Sequence, residues 1–389
     1  MKKWMASLCV GVLVLTGCAP DFGEQEEEAI IDENLDDSLQ ETAIIPKHNL
    51  SEENYRVLID SNLSQARGVI TNQIANRVDI DELEEGLRRH SKEVFDPETY
   101  YFQEGQYLTE DILYDWLERY DEDEEPLGLN PELGVEAEEE ADEVVQEAEQ
   151  DNPKYLSHIL EQNYLTKSND DVVELTGISI GIAMKSVYRF QTEIGGPYYY
   201  EDISEDKMLS EANQIADEVV QRIRQIEGLE NVPIMLSVFR ESSQSSLVPG
   251  NFVAKTNIPG DRASIDDWEE INEENVLFPS ENGRNTYADT HATLVDFETD
   301  VASYFPNYVS VIGKGFYQNG DLQKLTVEIP VSFYGKAELI GFTQYVYGLV
   351  LSGFPNDYQL EINITSGDTQ EALIVRNPGE EEGFVHIYH

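Results

Sequence analysis

The chain has 389 residues, of which 78 are acidic and 25 are basic, and its formal net charge at pH 7 is −53. A surface this negative repels nucleic-acid phosphates and anionic lipid head groups, so the composition excludes nucleic acid as a partner. The acidity is consistent with binding of cations or basic peptides. Its spread along the chain favours a solvated surface suited to high salt or high external pH.

The first 17 residues have the pattern of a secretory signal peptide. Lys2 and Lys3 precede a short apolar run, and residues 15–18 read Leu-Thr-Gly-Cys. A basic start, an apolar middle and a small-residue cleavage site define such signals. The apolar run is much shorter than the roughly 20 residues that a membrane-spanning helix needs. The pattern resembles a bacterial lipoprotein signal, in which the chain is cut between Gly17 and Cys18.

The resemblance to a lipoprotein signal implies that Cys18 becomes the mature N-terminus, as an S-diacylglycerol cysteine with an N-acyl group such as palmitate. Two acyl chains give stable anchoring, whereas one chain gives weak binding. We therefore expect a lipid-anchored protein on the extracellular face of the cell membrane, with the membrane and the signal-processing proteases as partners. The other cysteine, Cys9, lies within the signal, so the mature chain has no disulfide and no cysteine-based zinc site.

Two acidic stretches divide the rest of the chain. Residues 21–41 contain ten acidic residues and no basic one, and residues 121–152 contain fifteen acidic residues and no Lys or Arg. Like charges repel, so such blocks stay extended or solvated. We predict an acidic tether over residues 18–48 and an acidic linker over residues 121–152. Calcium binding is less favoured for the linker, because residues 121–125 lack the alternating ligands and central glycine of a calcium loop.

Residues 49–120, between the two stretches, are predicted to form a small helical module. Its clearest helix begins after Thr109, a suitable N-cap, and has apolar residues at helical spacing. Residues 153–389 are predicted to form a mixed domain with antiparallel hairpins, because a turn at Asn319-Gly320 joins two strand-like runs. The fold class predicted for the whole chain is α+β.

The larger domain shows strand and helix patterns in alternation. We predict a long strand over residues 172–187, a helix over 212–226, strands over 233–239 and 252–257, a helix over 294–305, the hairpin over 309–333, a helix over 338–351, and short strands near 360–364, 373–376 and 384–388.

Residues 177–181 read Gly-Ile-Ser-Ile-Gly and match the G-x-S-x-G pattern of a nucleophile elbow, in which Ser179 would be the nucleophile. That elbow needs a strand, a sharp turn and a helix, but the flanking residues favour one continuous strand. Glycines within a strand are typical of a bulge or of close packing. We therefore expect Ser179 to be structural, and we expect no catalytic residue and no enzyme activity.

Three further patterns are weaker. Ser204 and Lys207 match S-x-x-K, but a helix N-cap at Ser204 is favoured. His386 and His389 form H-x-x-H without a nearby cysteine or helix, and residues 313–316 lack the context of a phosphate loop. We therefore expect no metal and no cofactor.

Several short runs outside the acidic stretches carry a resemblance to a known family. They are residues 64–68 (Ser-Gln-Ala-Arg-Gly), 102–106 (Phe-Gln-Glu-Gly-Gln), 177–181, 186–188, Trp268 with 271–273, 276–280 and, most strongly, 304–308, 311–317 and 341–345. On these runs the chain, from about residue 49 onward, resembles the CamS family of Gram-positive lipoproteins, the sex-pheromone precursors.

The family resemblance bears mainly on the signal peptide. In that family the excised signal is trimmed to a short apolar peptide that acts as a mating pheromone on plasmid-bearing bacteria. The corresponding stretch is residues 11–17, which are uncharged and mostly apolar. The resemblance therefore implies a membrane-anchored pheromone precursor.

The sequence leaves the role of the large domain open. The chain has 21 tyrosines, and three of them, residues 198–200, follow a Gly-Gly-Pro turn. Tyrosines in extracellular domains contact sugars and peptides, or they are half-buried in strands. We expect a binding module for a cell-wall or peptide ligand. The alternatives are a cell-envelope hydrolase that uses Ser179 or an acidic pair, and a solute-binding protein that feeds a transporter.

Overall fold

The computed structural model describes residues 27–32, 41–46, 48–51, 54–59, 64–69, 75–77, 79–137, 140–169, 172–305, 310–332 and 335–388. The predicted signal peptide, its predicted cleavage site at Gly17 and Cys18, and residues 11–17, to which the family resemblance assigns the pheromone, lie outside these residues, as does His389. The described residues form two lobes, each built on one sheet, and the predicted α+β class is confirmed. Within the described ranges, every helix is too short or too polar to cross a bilayer.

The first lobe is built on a large mixed sheet. Its strands, with those of a short separate hairpin (β7 and β8), are β1 Glu27–Asp32, β2 Glu41–Ile45, β3 Arg56–Val57, β4 Tyr101–Glu104, β5 Leu156–Asn169, β6 Val172–Met184, β7 Val187–Phe190, β8 Tyr199–Asp202, β9 Ile234–Arg240, β10 Asn251–Ile258 and β11 Glu269–Glu270. The order across the sheet is β11-β10-β9-β6-β5-β4-β3, while β1 pairs with β6, and β2 with β1. Strand β6 is central because it pairs with β5, β9 and β1.

Helices cover both faces of this sheet. They are α1 Ile80–Ser91, α2 Glu110–Leu117, α3 Asp142–Asp151 and α4 Glu205–Ile223, together with a short 3₁₀-helix, Gln65–Gly68. Helices α2 and α4 pack on one face and α1 packs on the other. The predicted N-caps are confirmed, since the side chains of Thr109 and Ser204 accept hydrogen bonds from backbone N–H groups in the first turns of α2 and α4. The S-x-x-K match at Ser204 therefore marks a helix start.

Strand β6 runs without a break through the G-x-S-x-G match, which confirms the predicted continuous strand there, although it ends at Met184 and not at Val187, where β7 begins. Its glycines allow α1 and the chain after it to lie against the strand. A Cβ on Gly177 would lie 2.2 Å from Cε1 of Phe95, and a Cβ on Gly181 would lie 3.2 Å from Cδ1 of Leu83. Real Cβ atoms do not approach other atoms as closely as the first of these distances, so the contact with Phe95 requires glycine at position 177.

A matched pair of substitutions tests this packing. We expect Gly177→Ala to lower the free energy of unfolding by about 1–3 kcal/mol, because Phe95 and the backbone must shift to admit a methyl group. In contrast, Gly341→Ala adds a methyl group on an exposed helical position with no heavy atom within 4 Å of the new Cβ. That change should raise the free energy by about 0.5–1 kcal/mol. Urea unfolding measures both, and equal effects of the two substitutions would contradict the close packing.

The predicted acidic tether contains two strands of the sheet. Strand β1 pairs with β2, and Ile44 of β2 exchanges two backbone hydrogen bonds with Ile59, just after β3. Because β3 pairs with β4, β4 with β5, β5 with β6 and β6 with β1, six strands close into a ring. The ring encloses its own small core of Ile45, Leu58, Tyr101, Leu165 and Val173. The structure therefore differs from an extended tether over residues 27–32 and 41–45.

The second acidic stretch is also folded onto the first lobe, rather than forming a linker. It contains helix α3, whose Val145 is buried. Arg119 holds the stretch in place by donating hydrogen bonds to the backbone oxygens of Pro131 and Asn152 and by pairing with Glu149. The strands of the predicted helical module, β3 and β4, likewise belong to the same sheet as β5 and β6. Residues 49–120 are therefore part of the first lobe rather than a separate module.

The second lobe is a six-stranded sheet with helices on one face. Its elements are β12 Glu273–Phe278, α5 Glu281–Thr286, α6 Ala288–Tyr304, β13 Ile312–Gln318, β14 Asp321–Pro330, α7 Lys336–Gly353, β15 Gln359–Ser366, β16 Thr369–Arg376 and β17 Phe384–Ile387. The strands follow one another across the sheet in chain order. The predicted hairpin is confirmed by β13 and β14, and Asn319 and Gly320 both have positive φ angles at its turn. Apolar residues of α6 and α7 form the core with the sheet.

A buried carboxylate joins the two lobes. Glu273, the first residue of β12, accepts two hydrogen bonds from Arg89 of α1, at 3.3 and 2.9 Å, and its Oε1 lies 3.1 Å from Nε2 of His90. The Arg89 guanidinium also lies 4.5 Å from the ring centroid of Phe316 in β13. Burial alone raises the pKa of Glu273, but His90 and Arg89 outweigh it, so this pKa lies below its ordinary value. Helix α1 is thus fixed to both sheets.

Candidate functional site

A cavity of about 50 Å³ lies beside α1 in the first lobe. Its lining comes from the segment before the 3₁₀-helix, from α1, and from strands β4 and β5. The lining residues are Ser64, Glu84, Arg88, Phe102, Glu104, Leu160, Glu161 and Gln162. Ser64 belongs to the run 64–68, while Phe102 and Glu104 belong to the run 102–106, so two of the runs that carry the family resemblance meet here.

Glu161 shapes one wall of the cavity. Its buried carboxylate accepts hydrogen bonds from the consecutive backbone N–H groups of Gln106, Tyr107 and Leu108, at 3.0, 3.0 and 2.6 Å. Burial raises the pKa of Glu161, although the three backbone donors oppose this effect. A Cβ on Gly105 would lie 2.6 Å from the Cβ and the carbonyl oxygen of Glu161, so the loop needs glycine there to close around the carboxylate.

Arg88 supplies the positive charge of the cavity. Its guanidinium lies 5.3 Å from the ring centroid of Phe102, close enough for a cation–π contact. Glu84, one helical turn earlier, and Glu104 at the end of β4 are the acidic neighbours of Glu161 in the lining. The backbone N–H of Ser64 donates to Oε2 of Glu104 at 3.2 Å, which ties the segment before the 3₁₀-helix to β4.

Ser179 is connected to the cavity only through a chain of buried side chains. Its hydroxyl donates to the Tyr164 hydroxyl at 3.4 Å, and Tyr164 donates to Oε1 of Gln162 at 3.1 Å. Gln162 then donates to the backbone oxygen of Glu84 at 2.8 Å. Burial raises the pKa of Tyr164 to about 12, so this hydroxyl keeps its proton at neutral pH. Ser179 itself is fully buried in mid-strand, where it supports Tyr164.

The cavity can hold a small polar group. Its size admits a few water molecules or the end of a ligand, such as an ammonium or an amide group. Three carboxyl groups favour a cationic or hydrogen-bond-donating group, while Arg88 provides for an adjacent carboxylate or carbonyl. Phe102 and Leu160 add apolar contacts. The lining therefore suits the polar end of a peptide-like ligand.

A second set of buried titratable groups lies at the far end of β5 and β6. Ser157, at a bulge in β5, donates to Oε1 of the buried Glu241 at 2.7 Å. Burial is the main cause that raises the pKa of Glu241 to about 7, and burial also lowers the pKa of Lys185 to about 8. Lys185 lies 5.6 Å from the ring centroid of Tyr188. The neighbouring strand position His158 is buried too, and burial lowers its pKa to about 4.

The raised pKa of Glu241 predicts a dependence of stability on pH. Between pH 4.5, its ordinary pKa, and about 7, the folded state binds more protons at this carboxyl than the unfolded state does. The contribution of Glu241 to the free energy of unfolding should therefore fall as pH rises through this window. Glu241→Gln keeps the acceptor for Ser157 and should remove the decline. Urea unfolding at pH 5 and at pH 7.5 measures the change in the free energy of unfolding between these pH values.

The control for this prediction is Asp296→Asn, which changes an exposed carboxylate on α6 in the second lobe. It should keep the difference between the two pH values that the unmodified protein shows. If Glu241→Gln behaves like Asp296→Asn, the proton uptake at Glu241 does not occur.

The other candidates from the sequence do not meet at the cavity. Of the three consecutive tyrosines, Tyr199 stacks on Phe190, while Tyr198 and Tyr200 are about half exposed. His386 lies in β17 and packs against the ring of Tyr388. Among the described residues, no group of three or more His, Cys, Asp or Glu side chains is placed to hold a metal ion.

The chain is similar to solved structures of sex pheromone precursors. The structure of a sex pheromone precursor from Lactobacillus salivarius subsp. salivarius UCC118 is 30% identical, covers 88% of this chain and 98% of its own, and superposes with a TM-score of 0.78. The C-terminal domain of the sex pheromone staph-cAM373 precursor from Staphylococcus aureus is 29% identical, covers 84% of this chain and 100% of its own, and has a TM-score of 0.68. No curated protein matches the chain.

The α+β fold of the two lobes is therefore the fold of these sex pheromone precursors. The model of the family described as the CamS sex pheromone cAM373 precursor matches residues 62–382. This range runs from the 3₁₀-helix of the first lobe to β16 of the second and leaves out β1, β2, β3 and β17. It spans most of the chain, and the chain belongs to that family. The resemblance drawn from the short runs is confirmed.

Proposed function

We propose that the chain is a lipoprotein, held on the extracellular face of the cell membrane through Cys18, and that its signal peptide is the source of a short apolar pheromone. Membership of the CamS family supports the pheromone role. The proposed lipid anchor is supported by the sequence Leu-Thr-Gly-Cys at residues 15–18, which directly follows a basic start and a short apolar run. The membrane and the signal-processing proteases are the partners in this proposal.

Mass spectrometry of the native protein tests both parts. We expect the mature chain to begin at Cys18 with a diacylglycerol thioether and an N-acyl group, and the culture medium to contain a peptide from residues 11–17. A synthetic copy of that peptide should make plasmid-bearing recipients clump, whereas a scrambled copy should not. Cys18→Ala should abolish the lipid and the membrane association, because the thiol is the point of attachment.

The outcomes separate the two roles. An unmodified thiol at Cys18 would overturn the anchor. A lipidated chain whose peptide 11–17 causes no clumping at any dose would overturn the pheromone role and leave the anchor in place. Cys9→Ala is the matched control, because it changes the other cysteine and leaves residues 15–18 intact.

We further propose that the folded body binds the polar end of a peptide or cell-wall fragment at the cavity beside α1. This proposal is supported by the lining of the cavity, in which Arg88 and three glutamates surround a volume of about 50 Å³. A free amine would pair with Glu84 and Glu104, and a neighbouring carbonyl or carboxylate would pair with Arg88. The burial of Ser179 favours this binding role over a hydrolase that uses that serine.

Titration of the body with wall-derived stem peptides tests the binding role. We expect Arg88→Gln and Glu84→Gln each to weaken binding about tenfold, the loss of one charged contact worth about 1.4 kcal/mol. Acetylation of the peptide amine should reduce the effect of Glu84→Gln but not that of Arg88→Gln. Asp296→Asn, in the second lobe, should bind like the unmodified protein.

The same titration distinguishes the alternatives. Turnover of the stem peptide with retained binding in the variants would favour a hydrolase. If all variants bind every peptide with equal affinity, the peptide does not bind at the cavity. That result would favour a solute-binding protein whose site lies between the lobes.

A further inference from the structure

The outer face of the six-strand ring carries exposed apolar side chains. Ile44, Val57 and Ile59 are 38%, 44% and 52% exposed, and Leu50, in the connection between β2 and β3, is 94% exposed. The strands alternate in the ordinary way, since Ile45 and Leu58 point into the ring. Residues that point outward from such a strand are usually polar. We call Ile44, Leu50, Val57 and Ile59 the apolar foot.

The foot lies at the end of the sheet where the chain enters. Ile30 of β1 pairs with Val172, the first residue of β6, so β1 joins the sheet at that end. Cys18 and Glu27, the first residue of β1, are nine positions apart, and nine residues span at most about 30 Å. A lipid on Cys18 therefore keeps the ring close to the bilayer.

The opposite end of the first sheet is too far from the chain entry to contact the same bilayer surface. Strand β6 has 13 residues, which at roughly 3.3 Å per residue give about 43 Å. The β7–β8 hairpin follows its far end, and the tip residue Ile194 is fully exposed there. The apolar foot therefore lies near the chain entry, whereas the exposed Ile194 lies at the far end of β6.

The charges that neighbour the foot in the sequence indicate which head groups it can contact. Residues 44–59 contain two basic residues, Lys47 and Arg56, and two acidic residues, Glu52 and Glu53, so their net charge is zero. The whole chain has a net charge of −53. This segment has no net charge, but β1 beside it belongs to the acidic stretch 21–41, and Glu28 of β1 pairs with Ile44. The foot therefore suits zwitterionic head groups rather than anionic ones.

We propose that the apolar foot rests in the head-group region of the bilayer and fixes the orientation of the anchored protein. Apolar side chains on an exposed surface contribute to membrane binding in proportion to the area that they bury. The area of four side chains is small, so the lipid on Cys18 holds the protein and the foot sets which end faces the membrane. The inference thus depends on the proposed lipidation.

Lipid quenching of an introduced tryptophan tests the foot. The mature chain has one cysteine, Cys18, which can be coupled to a maleimide lipid in phosphatidylcholine vesicles. We expect Leu50→Trp to gain a blue shift and to lose emission when the vesicle lipids carry a nitroxide quencher on the acyl chain. Ile194→Trp, at the far end, should show neither change. The parent chain, with Trp116 and Trp268, provides the background.

The triple change Ile44→Thr, Val57→Thr and Ile59→Thr keeps side chains that suit strands and removes the apolar surface. Combined with Leu50→Trp, it should abolish the quenching, and urea unfolding verifies that the ring still folds. Equal quenching at positions 50 and 194, or none at either, would overturn the proposal. A concentration-dependent blue shift of untethered Leu50→Trp, with dimers in sedimentation, would also overturn it by assigning the foot to a second copy.

Because the lipid is attached chemically, this result does not depend on processing in the cell. Failure of quenching with a lipidated native Cys18 would reject the foot alone. An unlipidated native Cys18 would reject the anchor, whatever the vesicles show.

Discussion

The close approach of helix α1 to strand β6 is the constraint on which the rest of the structure depends. The strand has glycine at position 177, under Phe95, and at position 181, under Leu83. Without side chains at these two positions, the helix reaches the sheet surface and buries Leu87 completely. Glycines beneath a helix allow its backbone and side chains to lie directly on the strand. Protein interiors are packed so closely that adding even one methyl group there disturbs the packing.

The position of α1 decides what its other side chains do. Glu84 and Arg88 face the cavity, while Arg89 and His90 reach Glu273 of the second lobe. One helix therefore connects the candidate binding site with the junction between the lobes. Arg88 of the proposed site and Arg89 of the junction are neighbours in this helix, so the two places share one rigid element.

The sequence predicts elements whose signals are local, and it misses those that depend on distant partners. The caps at Thr109 and Ser204 and the Asn319-Gly320 turn are local, and all three are confirmed. Strand β1 is acidic at both ends, and its partner Val172 lies far along the chain, so its charge pattern indicates a tether instead. Strand β5 escapes prediction because it buries Glu161, Gln162 and Asn163 among its apolar residues.

The candidate site could not be predicted from the sequence because its contacts also join residues that are far apart in the chain. The carboxylate of Glu161 gains its role from the backbone N–H groups of residues 106–108, and Arg88 gains its role from the ring of Phe102. Neither relation is local in sequence. The sequence signals for the site were the two runs 64–68 and 102–106 that meet at the cavity, and the second contains Gly105, where the loop closes on Glu161.

The strand ring has a mechanical consequence. Tension applied to the N-terminal end of β1 acts along the strand axis, across five paired positions with β2 and three with β6. In this shear geometry the paired positions resist together, whereas a strand peeled from one end gives way one pair at a time. Tension that enters at Glu27 is therefore carried through these paired positions to the central strand β6.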